Sequence, residues 1–153
     1  MDLHIVTAQP EDAGALSAIA RGAKQHWGYP DDWLRRWENV LTITPEYIRA
    51  HPLYVAMADG KPVGFCALQM EPTDASLDHF WVLPEAMGRG IGRALFERAE
   101  QSARAAGAVR LVIESDPHAE GFYQRMGAAT VGRKPASIDG VERFLPLLEK
   151  PLA

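Results

Sequence analysis

The sequence predicts a mixed α/β fold: a central sheet of about six to seven strands flanked by about four helices. Three observations predict it. Residues 53–58 and 63–70 are apolar runs separated by the hairpin turn Asp59-Gly60, and a third run, 75–83, follows Pro72-Thr73-Asp74. That third run leads through a glycine-rich turn into a long amphipathic stretch and then into another apolar run, 109–113. A strand–helix–strand passage of this kind implies a parallel pair with a right-handed crossover. Two further runs, 128–132 and 141–148, flank the loop 135–140 and suit a closing hairpin.

In chain order, residues 3–7 are short and apolar, a first strand. Pro10-Glu11-Asp12 starts a helix, since proline fits the first turn and acids complement the dipole. Leu16, Ile19, Ala20 and Ala23 carry it at helical spacing to about His26. His26-Trp27-Gly28-Tyr29-Pro30 breaks it, and Asp31 is placed to cap the next helix. Trp33, Trp37, Val40 and Leu41 then share one face, a stripe suited to core packing. Thr44-Pro45-Glu46 reads as a cap and first turn of a short helix through Arg49. Pro62 falls at the start of a strand, where a missing donor is tolerated. In the long helix, about 90–106, Ile91, Leu95, Ala99 and Ala103 form the buried stripe. Arg93/Glu97 and Glu100/Arg104 are exposed i, i+4 pairs, and Gly107 stops the helix. The continuous apolar run 109–113 suggests a strand buried on both faces. Asp116-Pro117-His118-Ala119 opens a short helix through Arg125, stopped by Gly127.

The 153 residues suit a single domain, 1–153, with a core of its own. A net charge of −4 does not favour a nucleic-acid surface. The one cysteine, Cys66, excludes an internal disulfide and suits a reducing cytoplasm. No apolar run is long enough to span a membrane, and no secretory leader is visible. Five scattered histidines and one cysteine make a metal site improbable.

The stretch richest in chemistry is Met87-Gly88-Arg89-Gly90-Ile91-Gly92-Arg93, between strand and helix. Alternate glycines strip side chains from the turn, so backbone N–H groups can approach a ligand closely. The first N–H groups of a helix lack internal partners and face the positive end of its dipole, which suits phosphate. Arg89 and Arg93 add positive charge. The turn therefore reads as a cradle for the diphosphate of a nucleotide-like cofactor, against the alternative of a tight connection that binds nothing. Neither G-x-G-x-x-G nor the P-loop is present. What fits is Q/R-x-x-G-x-G/A, with Met87, Gly90 and Gly92 in its slots.

In that pattern the chain resembles the GNAT superfamily of N-acetyltransferases. The resemblance implies acetyl-CoA as co-substrate, its pyrophosphate held at residues 87–93. Met87 departs from the usual Gln or Arg. Trp81, Val82 and Leu83 match the strand whose main chain grips the pantetheine arm in that family. Residues 115–128 resemble its second segment, N-x-x-A-x-x-F-Y-x-x-x-G, with Ala119, Phe122, Tyr123 and Gly127 matching and His118 standing where asparagine is frequent. Tyr123 is then the acid that protonates the leaving thiolate, against the alternative of ordinary helix packing.

The base is open in the sequence. Asp74 matches a family position that is sometimes a catalytic glutamate, but suits a turn as well. His79 is a candidate because an unperturbed imidazole titrates near neutrality, and by alternation Asp78 and His79 lie on opposite faces. Glu71, Glu114 or a water chain are further options. Nothing near Cys66 suggests an acyl-cysteine route.

The loop residues His26, Trp27 and Tyr29 could line an acceptor pocket, and their aromatic character hints at an enclosed one for a small-molecule amine. The alternatives are a protein N-terminus or lysine as acceptor, or an acyl-CoA sensor without catalysis. The family often forms homodimers through late strands.

Overall fold

A computed structural model describes residues 1–152. The strands are β1 (Leu3–Thr7), β2 (Leu53–Ala58), β3 (Lys61–Met70), β4 (Asp74–Val82), β5 (Arg110–Glu114), β6 (Ala129–Pro135) and β7 (Phe144–Pro151). They form one sheet in the order β1-β2-β3-β4-β5-β7-β6. β1 to β4 are an antiparallel meander. β4 and β5 are the parallel step that the crossover helix implied. β7 then returns between β5 and β6, antiparallel to both.

The helices are α1 (Ala13–Gln25), α2 (Asp31–Arg36), α3 (Glu38–Leu41), α4 (Pro45–Ala50), α5 (Ile91–Ala105) and α6 (Glu120–Arg125). They divide the core in two. α1, α3 and α4 cover one face of the meander through Leu16, Ile19, Leu41, Ile48, Phe65 and Ala67. α5 and α6 cover the other through Ile91, Leu95, Phe96, Leu111 and Tyr123. Each fully buried Leu, Ile or Phe contributes roughly 1.5–3 kcal/mol. Among the described residues no helix is long and apolar enough to cross a membrane.

Four local expectations change. Asp31 is the first residue of α2 and its side chain caps nothing. The tryptophan helix breaks at Trp37, whose ring turns edge-on to Tyr29 at 5.0 Å, and Val40 points outward, 63% exposed. β5 buries one face only: Leu111 and Ile113 are inside, while Val109 is exposed and Val112 half-buried. The reason is that helices cover only one side of the β5-β7-β6 region. Glu100 is buried rather than exposed, held by Arg104 at 3.1 Å and by Lys150 of β7 at 2.9 Å.

Thr44, by contrast, caps α4, accepting a hydrogen bond from the Tyr47 N–H at 3.1 Å. Ser17 ties α1 to the segment before α4: its Oγ accepts from the Ile43 N–H at 2.8 Å and bonds the Ala13 carbonyl at 2.9 Å.

Candidate active site

β4 and β5 pair only from Asp74↔Arg110 to Leu77↔Ile113. Beyond that β4 continues to Val82, while the chain after Glu114 turns away into α6. A cleft of about 570 Å³ opens where they part. The edge of β4 that β5 has left offers main-chain donors and acceptors to whatever enters.

The glycine turn closes one end. Gly88 and Gly90 take φ of +78° and +81°, and a Cβ on either would touch nothing within 4 Å. Backbone conformation, not crowding, requires glycine there. Gly92 differs, because a Cβ would lie 3.0 Å from the Phe122 ring; it lets α5 pack against α6. The Ala94 N–H bonds the Gly90 carbonyl at 3.1 Å. The N–H groups of Ile91, Gly92 and Arg93 before it lack an intrahelical acceptor. Met87, Gly88, Gly90, Gly92 and Arg93 line the cleft, as do Trp81 and Val82. The Ile91 side chain is core, so only its main chain is available. Arg89 and Leu83 lie outside the lining, and the Leu83 N–H is spent on the Val63 carbonyl at 2.8 Å.

His118, Ala119, Phe122 and Tyr123 form the opposite wall. Tyr123 is only 5% exposed, boxed by Phe80, Phe96 and Phe122 with ring centroids at 5.8, 6.1 and 5.3 Å. Burial holds its phenol well above the ordinary value, so it carries its proton at neutral pH. Cys66 is buried in β3, its thiol pushed up to about 12 by burial, which excludes a thiolate nucleophile.

The basic candidates separate by position. Asp74 stands at the far end of β4, gripped by Arg110 at 2.8 and 3.2 Å, and does not line the cleft. That bidentate pair keeps its carboxyl below the usual range. The expectation of a base there gives way to an ion pair between neighbouring parallel strands. His79 does line the cleft, but the Trp81 indole donates to its Nδ1 at 3.0 Å. An indole N–H can only donate, so the neutral imidazole carries its proton on Nε2 and has no free acceptor nitrogen. Burial lowers its pKa, which keeps it in that neutral form. In this arrangement His79 stands in the wall with its acceptor nitrogen taken up by Trp81.

The geometry has an independent counterpart in known proteins. Residues 16–128 match the acetyltransferase (GNAT) family. The chain belongs to the GNAT acetyltransferase family. Membership makes it an acetyl-CoA-dependent N-acetyltransferase. It is 35% identical over 107 residues to a peptidyl-lysine N-acetyltransferase, YjaB, of Salmonella typhimurium, covering 69% of this chain and 68% of that one. Its fold is similar to that of a GNAT protein from Rhodopseudomonas palustris, with TM-score 0.80, 23% identity, and 99% and 96% of the two chains covered. It is also similar to PaiA N-acetyltransferase of Thermoplasma acidophilum, solved in complex with coenzyme A, with TM-score 0.78, 21% identity and 99% of each chain covered.

Within this GNAT chain the asparagine slot needs correcting. Three residues back from Ala119 is Asp116, not His118. Asp116 caps its turn by accepting from the His118 N–H at 2.9 Å. Its Oδ2 accepts from Lys24 Nζ at 2.6 Å and from the Tyr29 hydroxyl at 2.8 Å, and its Oδ1 lies 2.8 Å from His118 Nδ1. Burial alone would raise this carboxyl, but the charge and hydrogen bond of Lys24 outweigh it and bring it down to about 2.

Of the three loop residues, Trp27 lines the cleft and stacks on His118 at 4.7 Å. His26 packs edge-on against Trp27, and Tyr29 is turned to Asp116; neither lines the cleft. The loop is a brace more than a pocket wall. Lys24 and Arg143 complete it, Arg143 lying over the Tyr29, Trp33 and Trp37 rings at 5.4, 5.4 and 5.3 Å. Sequence reading missed both, because no local pattern marks a lysine late in one helix as the partner of an aspartate ninety-two positions on.

Proposed function

We propose that this chain acetylates the side-chain amine of lysine in a peptide or protein, by direct attack within a ternary complex. The observation that carries the transfer reading is one cleft that gathers a helix N-terminus on a glycine turn, an edge of β4 freed from β5 and a protonated tyrosine. The residues fit acetyl-CoA: N–H donors of α5 suit its diphosphate, with Arg93 beside them, and the edge of β4 suits the amides of its pantetheine arm. Bound acetyl-CoA supplies an acyl carbon and a thiolate leaving group. Tyr123 holds the proton that such a thiolate needs.

The lysine reading rests on what adjoins the cleft. A trough of about 490 Å³ runs from it over the sheet face that no helix covers, past Ser76, Val112, Leu147 and Val131. Asp78 and Glu114 stand at the junction and Glu149 lies further along. Glu114 and Glu149 are paired with Lys134 and Arg110, which leaves the Asp78 carboxylate at the junction without a cation, and an open channel with that acid at its mouth suits an extended cationic chain better than a small amine. The likeness to a peptidyl-lysine N-acetyltransferase supports the same acceptor, and the inward turn of Tyr29 weakens the case for an enclosed pocket.

Thiol release from acetyl-CoA, followed over lysine peptides, peptides with free N-termini and small polyamines, tests the acceptor. Lysine peptides should give the highest kcat/KM. A small amine that outpaces every peptide tenfold would overturn this part. Gly90→Glu tests the cradle: coenzyme A binding by calorimetry should vanish, because a carboxylate enters the phosphate site, while the fold is kept at a cost of about 1–2 kcal/mol for a left-handed non-glycine residue. Unchanged affinity would place the diphosphate elsewhere.

A further inference from the structure

β4 carries one residue more than β3 between Leu77 and His79. Leu77 pairs with Leu68 and His79 with Ala67, so Asp78 is the extra residue of a β-bulge. The bulge falls directly after Leu77↔Ile113, the last pair that β4 makes with β5. A bulge interrupts alternation and re-aims a side chain. Asp78 and His79 accordingly do not face opposite ways: both line the cleft and both reach Tyr47.

Tyr47 comes from α4, outside the cleft. Its hydroxyl donates to Asp78 Oδ2, and its ring meets His79 edge-on at 5.5 Å. Tyr47 is itself fixed, stacked on His51 at 4.0 Å, while His51 Nδ1 bonds the Tyr47 carbonyl at 3.0 Å. Burial and the Asp78 carboxylate keep its phenol protonated, so it acts as a donor. The other two carboxylates of the cleft are engaged. Asp116 has both oxygens occupied by Lys24, Tyr29 and His118. Glu114 has both within 3.4 Å of Lys134 Nζ. Asp78 Oδ1 alone has no partner among the described residues.

We propose that Asp78 accepts the proton of the attacking amine and that Tyr47 is its positioning residue. This rests on the acetyl-transfer reading above. At pH 7 about one lysine side chain in 2,500 is neutral, and that form attacks. As its nitrogen bonds the thioester carbonyl carbon it becomes cationic and far more acidic. Asp78 Oδ1 takes that proton, the C–S bond breaks with its electron pair on sulfur, and the thiolate takes a proton from the Tyr123 hydroxyl. Asp78 then releases one proton to solvent and Tyr123 regains one, so the chain ends as it began.

A double-mutant cycle decides it, using a blocked peptide with one central lysine and thiol detection. Asp78→Asn should lower kcat 10²-fold or more, with the KM for acetyl-CoA within twofold of the parent. Tyr47→Phe keeps the ring against His51 and should lower kcat five- to tenfold. In the Asp78→Asn background it should add less than twofold. Should that peptide not turn over, the slow hydrolysis of acetyl-CoA is read instead, with Asp78 taking the proton of the attacking water. Asp78→Ser is the second variant, and melting curves check that each protein folds. A kcat for Asp78→Asn within threefold of the parent overturns the proposal. An equal Tyr47→Phe loss in both backgrounds does the same, because it marks Tyr47 as purely structural. A parent protein that fails to bind coenzyme A would instead sink the acetyl-transfer reading itself.

Discussion

Tyr123 and Asp116 show how one residue type becomes a different chemical group by its surroundings. Tyr123 lies in an aromatic box that excludes water, which raises its phenol and keeps the proton in place at the cleft. Replacing it with phenylalanine preserves the box and removes only the proton. Tyr123→Phe should lower kcat by about 10²-fold while coenzyme A affinity by calorimetry stays within twofold; an unchanged kcat would show that the thiolate leaves unaided. Asp116 is pulled the other way, down to about 2. A carboxyl lowered on folding contributes stability above its unfolded value of 3.8, and that contribution is lost as pH falls towards 2. Urea melts should therefore show the parent more stable than Asp116→Asn at pH 5–7, with the gap closing between about pH 4 and 2. A gap independent of pH would mean that Lys24 is not its partner. Tyr123 was legible from its place in a short motif. Lys24, Tyr47 and Arg143 were not, because their partners are distant in the chain and no local spacing encodes them.

At the scale of elements, local chemistry fixed most boundaries. The Asp59-Gly60 turn, the Thr44 cap and the glycines flanking α5 each solve a backbone problem within a few residues, so they can be read directly. Departures came where a neighbour overrode the local pattern. Trp37 breaks its helix by packing on Tyr29 and Lys24, and the bulge at Asp78 turns an alternating strand into a lip with two polar residues on it. Ser17 shows such a tie in the helical layer. Ser17→Ala would leave the buried Ile43 N–H without an acceptor and should cost about 1–3 kcal/mol in urea unfolding. A change under 0.5 kcal/mol would mean that the segment before α4 relaxes to find water.

For the whole molecule, the last strand matters most. Among the described residues β7 is the only strand paired with β6, and it lies against β5, while Leu148 and Leu152 fill the α5 side of the core. Lys150 reaches Glu100, and the Leu152 carbonyl accepts from Arg104 Nε at 2.9 Å. A chain ended after Gly140 should lose cooperative unfolding in urea by circular dichroism, since β6 then has no neighbour and buried Glu100 loses a cation. A sharp transition in that truncated chain would show the first five strands to be a self-sufficient unit.

The sequence by itself determined the elements, the parallel step, the glycine turn that opens α5 and the short helix that carries Tyr123, because each depends on periodicity or on turn chemistry within a short span. Only the tertiary structure decided that β7 inserts between β5 and β6, that β4 and β5 part after Leu77, and that Asp78 and His79 both line the cleft while Asp74 is held outside it by Arg110. Those outcomes depend on which side chains from remote segments compete for the same buried space and the same hydrogen bonds, and that competition exists only once the chain has closed on itself.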